Sequence, residues 1–155
     1  MQIQFVRACP SDVEAVIELQ NEAFRGDFER YGQCPNYGRS PENTVDIIRR
    51  HYDFLILAEE HPVGNMIVKL RGAGECHLTS LAVIPAWQRR GIGSSALAFL
   101  ENRFPDSVKF TLDTPEDKIG NRLFYQKAGY REVGSIHSSG ITCTLLEKVP
   151  GKPGH

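Results

Sequence analysis

Apolar and polar positions alternate over Ile3–Arg7, the two-residue period of a strand. The period then changes. Val13, Val16, Ile17, Gln20, Ala23 and Phe24 recur at helical intervals, and Ser11 precedes Glu14 at capping-box spacing, so a helix is predicted to end near Phe24. Residues 25–40 follow neither period and mix Gly, Pro, charge and aromatics, which predicts a loop. Pro41 and Glu42 open a second, short helix through about Tyr52, with proline in the first turn and an acid near its positive end. The apolar runs 54–58 and 64–70, separated by residues 59–63, predict a β-hairpin.

Beyond the turn at Gly72-Ala73-Gly74, a strand is predicted over 75–84, ended by Pro85. A helix follows from Gly91 to about Arg103 with Ile92, Ala96, Leu97 and Leu100 on one face, then a strand over 108–112. Another helix opens at residues 114–117 and stops at Gly129, and strands over 130–136 and 141–146 close the series. Hairpins join the early strands and helices join the later ones. That order predicts an α/β (α+β) fold: a mixed sheet of about six or seven strands with about four helices on its two faces. One domain over residues 1–149 and a frayed tail over 150–155 are expected.

Composition narrows the function classes. The chain has 155 residues, 41% hydrophobic and 24% charged, and a formal net charge of −1, which argues against nucleic acid or an anionic membrane as the main partner. No apolar run has the length of a membrane span, and the first residues lack a signal-peptide pattern. Cys9, Cys34, Cys76 and Cys143 form no C-x-x-C pair, so reduced thiols in a cytoplasmic protein and no metal site are expected. A monomer and a homodimer both stay open.

The segment Leu81-Ala82-Val83-Ile84-Pro85-Ala86-Trp87-Gln88-Arg89-Arg90-Gly91-Ile92-Gly93-Ser94 concentrates the chemistry. A strand ends, the chain turns, and a helix begins at two glycines that two arginines precede. Unpaired N–H groups and the partial positive charge at such a helix start bind an anion, and glycine lets backbone approach it. Gly91-Ile92-Gly93-Ser94-Ser95-Ala96 also fits the G-x-G-x-x-A dinucleotide fingerprint, with Asp113 near the expected ribose-binding position. Against that reading, about six residues intervene between strand end and first glycine.

Gln88-Arg89-Arg90-Gly91-Ile92-Gly93 after a strand ending in Val-x-Pro resembles the acetyl-CoA signature of the GNAT acetyltransferase superfamily. Asn121-Arg122-Leu123-Phe124-Tyr125-Gln126-Lys127-Ala128-Gly129-Tyr130 resembles its second signature, Asn-x-x-x-x-Tyr-x-Lys-x-Gly-Phe/Tyr. The resemblance implies a mostly antiparallel GNAT-type sheet and an acetyl-CoA-dependent N-acetyltransferase that works by direct transfer to an amine. It implies a coenzyme site made by Leu81, Val83, Gln88, Arg89, Arg90, Gly91, Ile92, Gly93, Ser94, Asn121 and Tyr125. Tyr125 would protonate the leaving thiolate, and the Val83 N–H, at a strand bulge, would hold the thioester oxygen. On a bare helix Tyr125 would read first as a core aromatic beside Phe124 and Tyr130; the two aligned signatures favour the general acid.

His77 stands where many members of the superfamily carry a glutamate, and an imidazole titrating near neutrality suits a base. The run from His77 to Val83 is similar to that of arylalkylamine N-acetyltransferases, with Thr79 replacing a second histidine. Strand alternation predicts Glu75, His77, Thr79 and Leu81 on one face, so Glu75, His77 and water all stay open as the base. In the 25–40 region, Asp27 and Glu29 are candidates to attract an ammonium, and Tyr31 or Tyr37 to wall the acceptor pocket. A non-catalytic acyl-CoA-binding module is the competing function. The acceptor, a small molecule or a protein amine, is not named by these residues.

Overall fold

A computed structural model describes residues 1–151; the tail expected over 150–155 lies, from residue 152 on, outside the described residues. The described residues form strands β1 (Ile3–Arg7), β2 (Tyr52–Ala58), β3 (His61–Arg71), β4 (Glu75–Val83), β5 (Lys109–Pro115), β6 (Arg131–Ser138) and β7 (Ile141–Lys148). Helices α1 (Val13–Tyr31) and α2 (Pro41–Arg50) follow β1, α3 (Ile92–Arg103) joins β4 to β5, and α4 (Ile119–Lys127) joins β5 to β6. No helix among the described residues is long and apolar enough to cross a membrane.

The strands make one seven-stranded sheet in the order β1-β2-β3-β4-β5-β7-β6. Every neighbouring pair is antiparallel except β4–β5. A doubly wound dinucleotide fold needs consecutive parallel strands, so the dinucleotide reading of residues 91–96 does not hold. The sheet carries apolar residues on both faces. Ile92, Ala96, Leu97 and Leu100 of α3 pack on one face against Phe54, Ile56, Met66, Leu78 and Phe110. Val13, Val16 and Leu19 of α1 and Ile48 of α2 pack on the other, against Leu55.

Three local expectations change. The helix begun at Val13 runs seven residues beyond Phe24, to Tyr31, and ends only where Gly32 enters the left-handed region (φ 73°) and returns its N–H to the Phe28 carbonyl at 2.8 Å. The entry bond sits earlier than predicted: Asp12 accepts the Cys9 N–H at 2.9 Å, and Ser11 and Glu14 form no box. The last helix starts at Ile119, because Thr114 and Pro115 still belong to β5 and pair with Thr144 and Cys143 of β7.

The sheet opens between β4 and β5. β4 and β5 pair only through Glu75–Lys109, Cys76–Phe110 and His77–Thr111, after which β5 continues against β7 and β4 runs on to Val83 paired with β3 only. Between β3 and β4 the register slips, with Ile67 facing Ser80 and Val68 facing Leu78, so Thr79 is an extra residue on β4. The bulge is therefore at Thr79 and not at Val83. It also breaks the predicted face: Cys76 and Leu78 lie in the α3-side core, and Leu81 and Val83 pack against that same core, out of phase with His77.

Candidate active site

Two cavities meet in the opening between β4 and β5. The first, about 660 Å³, lies over the start of α3 and is lined by Leu81, Val83, Gln88, Arg89, residues 91–94, Asn121 and Tyr125. Trp87, Gly120 and Phe124 complete its wall and were not among the expected residues. Arg90 is absent from that wall: its guanidinium sits over the Trp87 ring, 4.7 Å from the centroid, and Arg89 is the arginine that borders the groove.

Backbone groups point into this groove for identifiable reasons. Gly91 caps α3 with φ 83°, a conformation that L side chains avoid. The first bond of the helix ladder runs from the Ser95 N–H to the Gly91 carbonyl at 3.0 Å, so the N–H groups of Ile92, Gly93 and Ser94 precede that ladder. At β4, Ile84 donates to the Val63 carbonyl at 2.9 Å, which makes the Gly64–Val83 pair a non-hydrogen-bonded one. The Val83 N–H, and by alternation that of Leu81, turn away from β3 toward the side β5 has left. The Val83 carbonyl on that side accepts from Gln88 Nε2 at 2.8 Å, which ties the turn back to the strand. Gly93 has a packing reason too: a Cβ there would come within 3.0 Å of the Phe124 ring.

Leu81, Asn121 and Tyr125 line both cavities and mark their junction. Asn121 lies one helical turn before Tyr125 on α4, and its amide reaches Thr114 Oγ1 at 3.4 Å. Burial pushes the Tyr125 phenol up to about 12, with no charged neighbour contributing, so the hydroxyl keeps its proton at neutral pH.

The second cavity, about 430 Å³, is bounded by α1, β4, β5 and the β6–β7 hairpin. His77 lies in its wall, 8% exposed. Its Nδ1 is 2.8 Å from Thr111 Oγ1, and the Thr111 hydroxyl donates to Glu75 Oε2 at 3.0 Å. Burial lowers the imidazole pKa below its ordinary value, Arg71 and Lys69 lower it too, and Asp113 and Glu75 oppose them. The ring is therefore neutral and able to accept a proton at pH 7. Thr111 had no motif to signal it; its role appears only because β5 pairs beside His77.

The 25–40 region meets this cavity differently than predicted. Asp27 borders it but pairs with Lys118 at 2.6 Å, so its charge is already matched. Tyr31 borders it with its hydroxyl donating to Asp117 at 2.7 Å, while Tyr37 stacks on Phe28 with ring centroids 4.5 Å apart. Glu29 and Tyr37 do not line it. Cys34 and Cys143 do, and burial raises both thiols, which keeps them protonated rather than nucleophilic. Among the described residues no group of three or more His, Cys, Asp or Glu is placed to hold a metal.

Residues 13–130 match the profile of the acetyltransferase (GNAT) family. The chain belongs to that family. Solved structures of acetyltransferases share its fold over nearly the whole length. The PaiA N-acetyltransferase of Thermoplasma acidophilum, in complex with coenzyme A, superposes with a TM-score of 0.81 at 18% identity, covering 96% of this chain and 99% of that one. An acetyltransferase of Thermus thermophilus gives 0.79 at 20% identity, with 96% and 97% covered. The ribosomal-protein-S18-alanine N-acetyltransferase of Escherichia coli gives 0.78 at 14% identity, with 99% and 97% covered. At these identities the likeness is one of fold. No curated protein matches the sequence. In this GNAT chain the two signature segments thus occupy one groove, and the cavity beside it carries a titratable imidazole.

Proposed function

We propose that the protein is an N-acetyltransferase that moves the acetyl group of acetyl-CoA to a primary amine of a small molecule or peptide, by direct attack within a ternary complex in the cytoplasm. The observation that carries this reading is the junction: a groove lined by the residues of the helix start and a separate cavity lined by His77 share Leu81, Asn121 and Tyr125 in their walls. A coenzyme in the groove and an acceptor in the cavity would meet at those shared residues.

The groove residues fit a diphosphate-bearing coenzyme. The amides of Gly91, Ile92, Gly93 and Ser94 and the Arg89 side chain suit the diphosphate, and Asn121 suits the pantetheine arm. Acetyl-CoA supplies a thioester, so transfer forms an amide N–C bond, breaks the C–S bond and releases coenzyme A. The cleft-facing Val83 N–H holds the thioester oxygen as charge collects on it. Tyr125 gives its proton to the departing sulfur, and His77 takes the proton that the amine nitrogen loses. No side chain forms a covalent intermediate. The acceptor occupies the cavity between α1, β5 and the β6–β7 hairpin.

The direct test is a thiol-release screen with acetyl-CoA over small amines, amino acids and peptides, run beside calorimetry with coenzyme A. Turnover on at least one amine is expected. Tight coenzyme binding without turnover on any acceptor would replace the enzyme by a binding module. Absence of coenzyme binding would remove both.

A further inference from the structure

The hydrogen atoms along the chain Glu75–Thr111–His77 can be counted. The Glu75 carboxylate is partly buried, which raises its pKa, but the Thr111 hydroxyl and the Arg71 guanidinium, at 3.1 Å, together hold it below the ordinary carboxylate range. It is ionised at neutral pH and offers only lone pairs. The single hydroxyl proton of Thr111 is therefore spent on Glu75 at 3.0 Å. What Thr111 Oγ1 turns toward His77 Nδ1, 2.8 Å away, is a lone pair. The proton in that contact must come from the ring.

We propose that Thr111 is a positioning residue: by linking Glu75 to His77 it fixes the neutral imidazole as the Nδ1–H tautomer and leaves Nε2 as the proton acceptor. The inference rests on the acetyltransferase reading for its use in catalysis, but the tautomer is a property of the protein alone. It settles which of Glu75 and His77 acts. Glu75 is occupied by Thr111 and Arg71 and lies 3.8 Å from Lys109, so it stands behind the base rather than serving as one.

When Nε2 takes a proton the cation needs no rearrangement, since Nδ1–H already points at an oxygen backed by a carboxylate. The charges around the ring are mixed. Lys69 and Arg71 face it from β3, Glu75 from β4, and Asp113 and Lys109 from β5. Across the cavity stand Arg39 and the Asp27–Lys118 pair. Removing the link takes away an oxygen acceptor that favours the imidazolium, and removing the Glu75 charge also leaves Arg71 unopposed. Both changes shift the ring toward a lower pKa.

The test is nitrogen-15 NMR of the histidine-labelled full chain at neutral pH, with the His77 signals assigned from His77→Gln. The wild type is expected to show a pyrrole-type Nδ1 and a pyridine-type Nε2. Thr111→Val should lose that pattern and Thr111→Ser should keep it. In kinetics on the best amine from the screen, Thr111→Val should lower kcat/KM on the order of tenfold to a hundredfold, the scale of losing an orienting contact behind a general base. Its acid limb should move to lower pH, with KM for acetyl-CoA unchanged and with recovery in Thr111→Ser. Glu75→Gln should move the acid limb the same way, and it carries the pH test if Thr111→Val does not fold. A pyrrole-type Nε2 in the wild type, or a Thr111→Val spectrum identical to it, overturns the proposal. A protein with the expected tautomer that acetylates no amine sinks the transferase reading and leaves the link standing.

Discussion

Tyr125 and Tyr31 are both tyrosines pushed up to about 12, yet they differ in what their protons can do. Burial raises both, and at Tyr31 the Asp117 carboxylate adds to it by holding the hydroxyl at 2.7 Å. That proton is committed. At Tyr125 burial alone acts, and the side chain stands at the junction of the two cavities. A phenol at that value is a poor acid toward a thiolate in water, whose reference pKa is near 8.5. The same desolvation strengthens the thiolate as a base; the Cys76 thiol in the neighbouring core is itself raised to about 11. Desolvation of a thiolate beside Tyr125 would narrow the gap between the two pKa values. Tyr125→Phe keeps the ring packing against Phe124 and Tyr130. It is expected to reduce kcat on the order of a hundredfold, the scale of a general acid, with calorimetric affinity for coenzyme A unchanged. An unaltered single-turnover rate would remove the acid role.

At the scale of elements, the turn into α3 depends on one residue's freedom and another's size. Gly91 has φ 83° with open space around a would-be Cβ, so its constraint is conformational, whereas Gly93 is limited by Phe124. Gly91→Val places a β-branched residue in the left-handed region, at a cost of roughly 1–3 kcal/mol, and the chain relieves it by rebuilding the turn. Coenzyme affinity should fall by at least about tenfold by that loss of amide geometry, while far-ultraviolet circular dichroism stays native. Gly93→Ala asks only for a small shift of the Phe124 ring and should cost less. Calorimetry on the pair decides, since equal losses would mean that the turn's geometry is not what binds.

Gly91 and its neighbours were readable because glycine, proline and arginine mark a helix-start anion site within a few consecutive residues. The last turns of α1 were not. Gly26 and the charges around it carry no helical period, and the segment is held by partners far along the chain: Asp27 by Lys118, and Arg30 and Tyr31 by Asp117. The bulge at Thr79 was equally hidden, since a strand's own alternation does not tell which partner residue is skipped. For the same reason His77 was visible as a candidate base and Thr111 was not.

At the scale of the whole molecule, a buried polar chain ties α1 to the sheet. Gln20 of α1 donates to Asn65 Oδ1 at 2.9 Å, and Asn65 Nδ2 donates to Asp53 Oδ1 and to the Phe54 carbonyl. Asp53 is fully buried, and its Oδ2 has no partner among the described residues. Burial raises its pKa to about 6, although Asn65 and the more distant Arg39 pull the other way. A carboxyl whose folded pKa exceeds its unfolded value near 4 favours the native state in its protonated form. Its contribution is complete below about pH 4 and is lost as pH rises through about 6, and a shift of two units corresponds to about 3 kcal/mol. Glu75 and Asp117 have lowered pKa values and run the opposite way, so the wild-type curve alone would blur the effect. Asp53→Asn isolates it. The variant keeps an oxygen for Asn65 and carries no charge to desolvate. The unfolding free energy of the wild type minus that of Asp53→Asn, from urea titrations at several pH values, should fall by about 3 kcal/mol between about pH 4 and 7. A difference that stays flat over that range would mean that folding leaves the Asp53 pKa at its unfolded value, and that burial in the chain from Gln20 to Asp53 does not disfavour its charge.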